Sequence, residues 1–518
     1  MASDPSLHQR AARRPRSGLV VGAVAAILLA AAVGITTYFL NRGGTPLASG
    51  RPAEAAKPVD AVAVLPFVYD GADPKMELLG STIAGHIIDS LGQMHRSELK
   101  IRPFSSVSGY KRERPDVRTI GQKLNVPLIV TGALHDDGRG LRVTVEVVDA
   151  KDDSLIWSQP YSGKRDGAID LDLQDRIVRD VASNMGLRLT AEEERRLTRR
   201  RTADPEAYRL YREAMFHVSK FSAEGLAAAI ELCKQAIAKD PKYAIAHAGL
   251  ARCYVLQGTV FVGPKQIFPE ARRCVDEALR LDPDQANAHA ALGAIYLFGD
   301  GEWKAAEREL ELALRLDPNT MGVGTIYGFC LATQGRLTEA LASIRRGQEL
   351  DPLAAARRNE LAMCYNWMRQ PDLAIAEAKE ALKLDQNFML AYGELGTAYL
   401  QKGMAKEAID ALSGAVERSL RHPRPRSILA CAYAAAGQPD KARDELKALR
   451  ANPQFGSAFA MARIHAALGE RDEAFTSLRA ALDERDSAMV FVKLDSNLDS
   501  LHSDPRFAKL LADMRLPP

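Results

Sequence analysis

Residues 351–385 read DPLAAARRNELAMCYNWMRQPDLAIAEAKEALKLD: two helical stretches opened by Asp-Pro and ended by the aspartate of the next unit, 34 residues on. In the first stretch Leu361-Ala362 is followed by Tyr365. In the second, Ala374 and Ala381 stand two helical turns apart on one face. The unit recurs outward in both directions. Asp240-Pro241, Asp282-Pro283 and Asp317-Pro318 precede it at spacings of 42, 35 and 34 residues. Leu292-Gly293 with Tyr296, Leu395-Gly396 with Tyr399 and Leu429-Ala430 with Tyr433 repeat the first stretch; Ala271/Ala278, Ala306/Ala313 and Ala408/Ala415 repeat the second. The pattern has a steric cause. Small residues let two helices cross closely, a tyrosine ring fills the gap to the next pair, and proline ends a helix.

A 34-residue period of paired helices with these positions resembles the tetratricopeptide (TPR) repeat. The resemblance covers residues 205–518 and implies seven or eight repeats in an all-α superhelix (α-solenoid). Asp504-Pro505-Arg506-Phe507 resembles the helix that closes such arrays. Val260-Phe261-Val262-Gly263-Pro264 reads as an insertion that widens the loop between two helices. In a TPR superhelix the first helices line the concave face. By that resemblance the candidate partner-binding groove comprises Arg252, Ala294, Phe329, Asn359, Met363, Asn366 and Thr397. Most are apolar or small, and the Lys/Asn set that clamps a carboxylate in chaperone-binding members is not recognisable. The expected ligand is therefore a protein or peptide partner presenting an amphipathic helix or apolar segment.

Upstream, residues 58–190 change pattern. Ala61-Val62-Ala63-Val64-Leu65-Pro66-Phe67 suits a buried strand, and Met76, Leu79, Ile83, Ile87 and Leu91 recur at helical spacing. Leu128-Ile129-Val130, the alternating Leu141–Val147 stretch and Ile156-Trp157 read as an antiparallel meander, and Leu173, Ile177, Val181 and Met185 as a closing helix. With Arg118-Thr119-Ile120-Gly121, Val130-Thr131-Gly132 and Val148-Asp149-Ala150, the segment resembles the TolB amino-terminal-like domain found beside TPR repeats in bacterial chains. That likeness implies a small mixed sheet with helices against it, no catalytic residue and a role in protein contacts of the cell envelope. Residues 191–204, with Glu192-Glu193-Glu194 ahead of a run of arginines, read as a charged, solvated connecting helix.

At the N-terminus, Gly18–Leu40 is a run of 23 uncharged residues preceded by Arg10, Arg13, Arg14 and Arg16. Its length and flanking charge predict one transmembrane helix (18–40) behind a short basic cytoplasmic tail (1–17), with a Gly/Pro-rich linker (41–57) and the main body periplasmic. The expected fold class is thus a small α/β domain, then a TPR superhelix, with one N-terminal transmembrane helix in the inner membrane.

Net charge is +3, which offers no general affinity for nucleic acid. No phosphate loop, zinc-protease or nucleophile-elbow motif occurs, and the six cysteines form no CxxC pair. The reading assigns no catalytic residue, cofactor, metal or small-molecule substrate. It predicts a membrane-anchored interaction scaffold. The rival is a sensor; only 17 residues precede Gly18, so signalling would need a separate cytoplasmic output protein.

Overall fold

The computed structural model describes residues 59–516, less 70, 72, 93, 95, 97, 112–115, 137–139, 164–170, 188, 198–201, 203, 220–221, 262, 321, 419–422 and 452–456. The sheet domain is built around β1 (Ala61–Val64), an AVAV strand with every residue buried. It lies between two parallel neighbours, β3 (Lys100–Ile101) and β4 (Leu128–Asp136). A strand bonded on both edges and covered on both faces has to be apolar throughout. β2 (Val68–Tyr69) continues along β4, and β5 (Leu141–Asp149) and β6 (Ser154–Gly163) extend the sheet as an antiparallel meander. The strand order is β3-β1-β4-β5-β6.

α1 (Pro74–Gly92) and α4 (Leu171–Asn184) bury Ile83, Ile87, Ile177 and Val181 in this core. Gly80 permits the close passage of α1: a Cβ there would stand 2.1 Å from the Phe67 carbonyl oxygen. The short α2 (Phe104–Val107) follows β3. α3 (Val117–Leu124) is capped by Asp116, whose side chain accepts from the Thr119 amide, and ends at Asn125 with φ +50°. The connecting segment forms α5 (Ala191–Leu197). Its N-terminus is a capping box in which Thr190 and Glu193 exchange side chain–amide hydrogen bonds. Glu193 also pairs with Arg96 at 2.6 Å, which holds its carboxyl at a pKa of about 2. Residues 198–201 and 203 of the charged stretch lie outside the described residues.

Eight helix pairs follow among the described residues. They are α6/α7 (Pro205–Ser219, Ala223–Lys239), α8/α9 (Ala244–Val260, Pro264–Leu281), α10/α11 (Ala286–Ile295, Trp303–Leu316) and α12/α13 (Val323–Thr333, Leu337–Leu350). Next come α14/α15 (Ala355–Trp367, Pro371–Leu384), α16/α17 (Met389–Gln401, Ala405–Arg418), α18/α19 (Pro423–Ala435, Pro439–Arg450) and α20/α21 (Ala458–Ala467, Arg471–Asp483). Two 3₁₀ turns (Ser487–Phe491, Ser496–Leu501) and α22 (Pro505–Asp513) end the chain.

The repeat positions do what their sizes require. All eight signature alanines of the second helices, from Ala271 to Ala415, are 0% exposed. At the crossings, a Cβ on Gly293, Gly328 or Gly396 would stand 2.6, 2.7 or 2.5 Å from Leu310, Ile344 or Leu412. Asp240, Asp282 and Asp317, each before a proline, take extended backbone, as the steric bulk of the following ring demands.

Two expectations are corrected. The insertion after Val260 does not widen a loop: α8 and α9 run to 17 and 18 residues, against 13 and 14 for α14 and α15. The added residues join the helices because Pro264 suits a first helical position. Nor does the expected transmembrane helix belong to the fold class as found: among the described residues no helix is long and apolar enough to cross a membrane. The longest, α1 and α9, carry charged residues. Residues 18–40, with 1–17 and 41–57, lie outside the described residues. The architecture is a mostly helical repeat solenoid with a small N-terminal mixed-sheet domain.

The sheet domain and the repeats form one compact unit, Pro58–Pro518. Arg102, 1% exposed, donates to Leu124 O (2.7 Å) and Asn125 O (2.8 Å) at the end of α3, and to Glu349 O (2.5 Å) at the end of α13. Asp351, a repeat-signature residue, accepts from Ser105 (2.8 Å) and Ser106. Lys100 pairs with Glu349 at 2.6 Å, and Arg212 of α6 with Asp89 of α1 at 2.5 Å. Replacing Arg102 by Met strands several buried carbonyls, at a cost of about 2–4 kcal/mol. The expected outcome in urea is a lower midpoint, with the sheet domain exchanging amide protons before the repeats. An unchanged midpoint would remove Arg102 from this role.

Candidate partner-binding groove

The first helices α8, α10, α12, α14 and α16 carry the residues that sequence places on the concave face. Phe329 (α12), Met363 and Asn366 (both α14) gather at one end of it. Arg252 (α8) lies elsewhere, in a cavity beside the sheet domain. Asn359 (α14) and Thr397 (α16) are buried at 5% and 6% exposure, and Ala294 is fully buried.

The end where Phe329 and Met363 meet is occupied by the chain's own segment 487–501. Phe491 stacks on Trp367 (centroids 5.0 Å apart, 26° between planes) and meets Phe329 and Phe298 edge-on at 5.4 and 6.4 Å. Leu494 joins the apolar cluster of Met363 and Trp367. Such aromatic contacts contribute about 0.5–1.5 kcal/mol each beyond area burial. Polar contacts fix the backbone around them. Arg369 donates to Leu494 O at 3.1 Å and pairs with Asp499 at 2.6 Å. Gln401 donates to Ser496 Oγ (3.1 Å), and Ser487 to Thr259 O (2.9 Å).

The buried anchor is Asp495. Its carboxylate accepts from Arg463 of α20 at 2.5 Å, with the two side chains 7% and 4% exposed. Burial alone would raise its pKa, but Arg463 and then Arg424 hold it below the ordinary carboxylate value. Nearby, Asn366 donates to the backbone and side chain of Glu394, and Glu394 pairs with Arg424 at 2.5 Å. Towards the other end, Arg357 pairs with Glu360 at 2.6 Å beside Thr325. Burial raises the Glu360 carboxyl pKa despite that arginine.

Polar, hydrogen-bonded groups thus adjoin the aromatic cluster, and Phe491 fills that cluster. Sequence reasoning missed Trp367, Glu394, Arg463, Phe491 and Asp495. A signal existed: residues 487–501 lack the repeat pattern yet hold Met489, Val490, Phe491, Leu494, Leu498 and Leu501. After them α22 packs Phe507, Leu510 and Leu511 against both α21 and α11, and Trp303 of α11 donates to Met514 O and Arg515 O at 3.2 and 3.1 Å. All six cysteines are free thiols.

Comparison with known proteins fits the repeat geometry. Residues 221–260, 267–320 and 368–420 match tetratricopeptide repeat family models. The helix pairs are TPR repeats. Residues 59–180 match the model of the second domain of HilA/YgeH-like transcriptional regulators, where the sequence reading had named a TolB likeness. Putative adenylate cyclase 3 of Rhizobium meliloti is 29% identical over 201 residues, 39% of this chain and 33% of that one. Transcriptional regulator HilA of Salmonella typhimurium is 22% identical over 321 residues, 62% of this chain and 55% of that one. The chain thus spans about a third and about half the length of these relatives. Among solved structures, the type IV pilus biogenesis factor PilW is similar at 20% identity and TM-score 0.34, covering 40% of this chain and 93% of that one. The APC/C hetero-tetramer Cut9–Hcn1 is similar at 15% and 0.41, covering 67% and 70%.

Asp495→Asn leaves the buried Arg463 uncompensated, at an expected cost of about 3–5 kcal/mol in urea unfolding at pH 7. Because the folded pKa of Asp495 is depressed, its contribution is present above the unfolded value and is lost as pH falls through the folded one. The gap between wild type and variant is therefore expected to close as pH drops below 3.8. A gap constant with pH would contradict the pairing.

Proposed function

We propose that this chain is a protein-interaction scaffold whose concave face is held by residues 487–501 until a partner segment of the same chemistry takes their place. TPR arrays bind protein partners, and the observation that carries the finer reading is the seat of Phe491. Phe298, Phe329 and Trp367 form an aromatic socket, and the Arg463 guanidinium four residues further along the seated segment takes a carboxylate. A fitting partner presents an aromatic side chain followed four residues later by an acidic one. Release of the internal segment costs its own contacts, so a displaceable plug sets an affinity threshold that only a well-matched partner passes. The reading assigns no catalytic step to the chain.

The comparisons support a second reading, in which the same body is the regulatory part of a signalling system. Its support is the match of residues 59–180 to a domain of transcriptional regulators and the likeness to HilA and to a putative adenylate cyclase.

A fluorescent peptide of residues 485–501 separates an openable groove from a permanent core. Phe491→Ala weakens the plug, and the variant is expected to bind the peptide at least about tenfold more tightly than wild type. Equal binding by both, with faster amide exchange over 487–501 in the variant, would refute the groove as a docking site.

A further inference from the structure

A cavity of about 280 Å³ lies between the sheet domain and the first repeats, near the lower end of the range for small-molecule sites. Phe104, Met215 and Ile245 give it apolar walls, while Arg252, Asn287 and Thr320 add polar groups. The charged groups around it include two ion pairs and one carboxylate bonded to a backbone amide. Arg212 pairs with Asp89 at 2.5 Å, Glu213 with Arg209 at 2.8 Å, and Asp317 accepts the amide of Asn319 at 2.9 Å.

Arg252 is different. Among the described residues it makes no ion pair and no hydrogen bond. The positive charge of Arg357 acts on it, and that arginine already has Glu360 as its partner. Burial pushes the pKa of Arg252 down; Tyr211 and Cys253 oppose the shift and Arg357 adds to it. Among the described residues no carboxylate pairs with this cation, although Glu213 and Asp317 line the same cavity. Thr320 provides a second, independent sign: at 6% exposure, its Oγ1 has no partner among the described residues. Arg252 is half-buried and Thr320 buried; a polar group held out of water without a partner is costly, and a ligand that satisfies it recovers part of that cost on binding.

We infer that this cavity binds a small organic acid, with Arg252 taking the carboxylate and Phe104, Met215 and Ile245 covering the hydrocarbon part. One cation without a bonded partner, in a lining that also carries Asp89, Glu213 and Asp317, suits a monoanion better than a doubly charged phosphate ester. The planar guanidinium meets a carboxylate through two parallel hydrogen bonds. Thr320 and Asn287 supply further hydrogen-bonding groups. Since Phe104 belongs to the sheet domain and Arg252 to the second repeat, an occupant touches both parts of the chain. The inference stands apart from the scaffold reading, because its site shares no residue with the Phe491 socket.

Isothermal titration of the full chain with octanoate and phenylacetate, against octanamide and phenylacetamide, tests it. The acids are expected to bind at least about tenfold more tightly than the amides, and Arg252→Met to weaken the acids by at least about tenfold. Arg252→Lys is expected to fall between, since the charge remains without the paired geometry. Without ligand, Arg252→Met is expected to keep the wild-type circular dichroism and melting temperature, as no hydrogen bond or ion pair to the described residues is lost. Absence of acid binding, equal binding of acids and amides, undiminished binding by Arg252→Met, or a misfolded Arg252→Met would each overturn the inference.

Discussion

A buried guanidinium bridges the two halves of this molecule at their helix ends. Helix ends leave carbonyl groups without intrahelical partners and carry a partial negative charge. Arg102 meets that need twice, at the end of α3 in the sheet domain and at the end of α13 in the repeats. Burial lowers its pKa, while Asp351, Asp60 and Glu349 support its charge. Asp351 shows how the repeat chemistry is reused. Its equivalents Asp240, Asp317 and Asp385 turn their carboxylates onto the amide two residues ahead, whereas Asp351 gives its own to Ser105 and Ser106. The sheet domain is thereby seated on the array instead of hanging from a connecting helix.

At the opposite end, closure comes from the chain terminus. A solenoid exposes an apolar face at each end unless something covers it. Here α22 covers the last repeat and reaches the third through Trp303, and Arg515 pairs with Glu302 at 2.7 Å. The segment before it runs into the concave side. The array's inner surface then ranges from an aromatic socket filled by Phe491, through paired polar groups, to the cavity at Arg252. These environments lie along one face that a linear repeat pattern describes as uniform.

How much of the site was legible follows from this. Phe329, Met363 and Asn366 were placed on the inner face by their position in the repeat, and the structure gathers them at one end. Arg252, named in the same set, lies in a different environment, because the sheet domain covers that part of the face. The antiparallel meander and the closing helix of the sheet domain were readable from local signals: alternation and helical spacing. The apolar residues of 487–501 mark a packed segment, but their order does not say where Phe491 and Asp495 would sit, since their partners Phe298, Trp367 and Arg463 are distant in sequence or belong to other repeats.

The sequence by itself determined the repeat fold, because a crossing tolerates only a small residue and a residue before proline is driven to extended backbone. Those are constraints between neighbours a few residues apart, and they recur with the period. It also determined the strand pattern of the sheet domain, where burial on both faces demands an uninterrupted apolar β1. Only the tertiary structure decided that the sheet domain docks through Arg102, that the terminus fills the aromatic end of the inner face, and that Arg252 makes no ion pair among the described residues. Each of these depends on groups brought together from far along the chain. Which charges meet and which stay unmatched is settled by how the surfaces pack, and no local spacing records that.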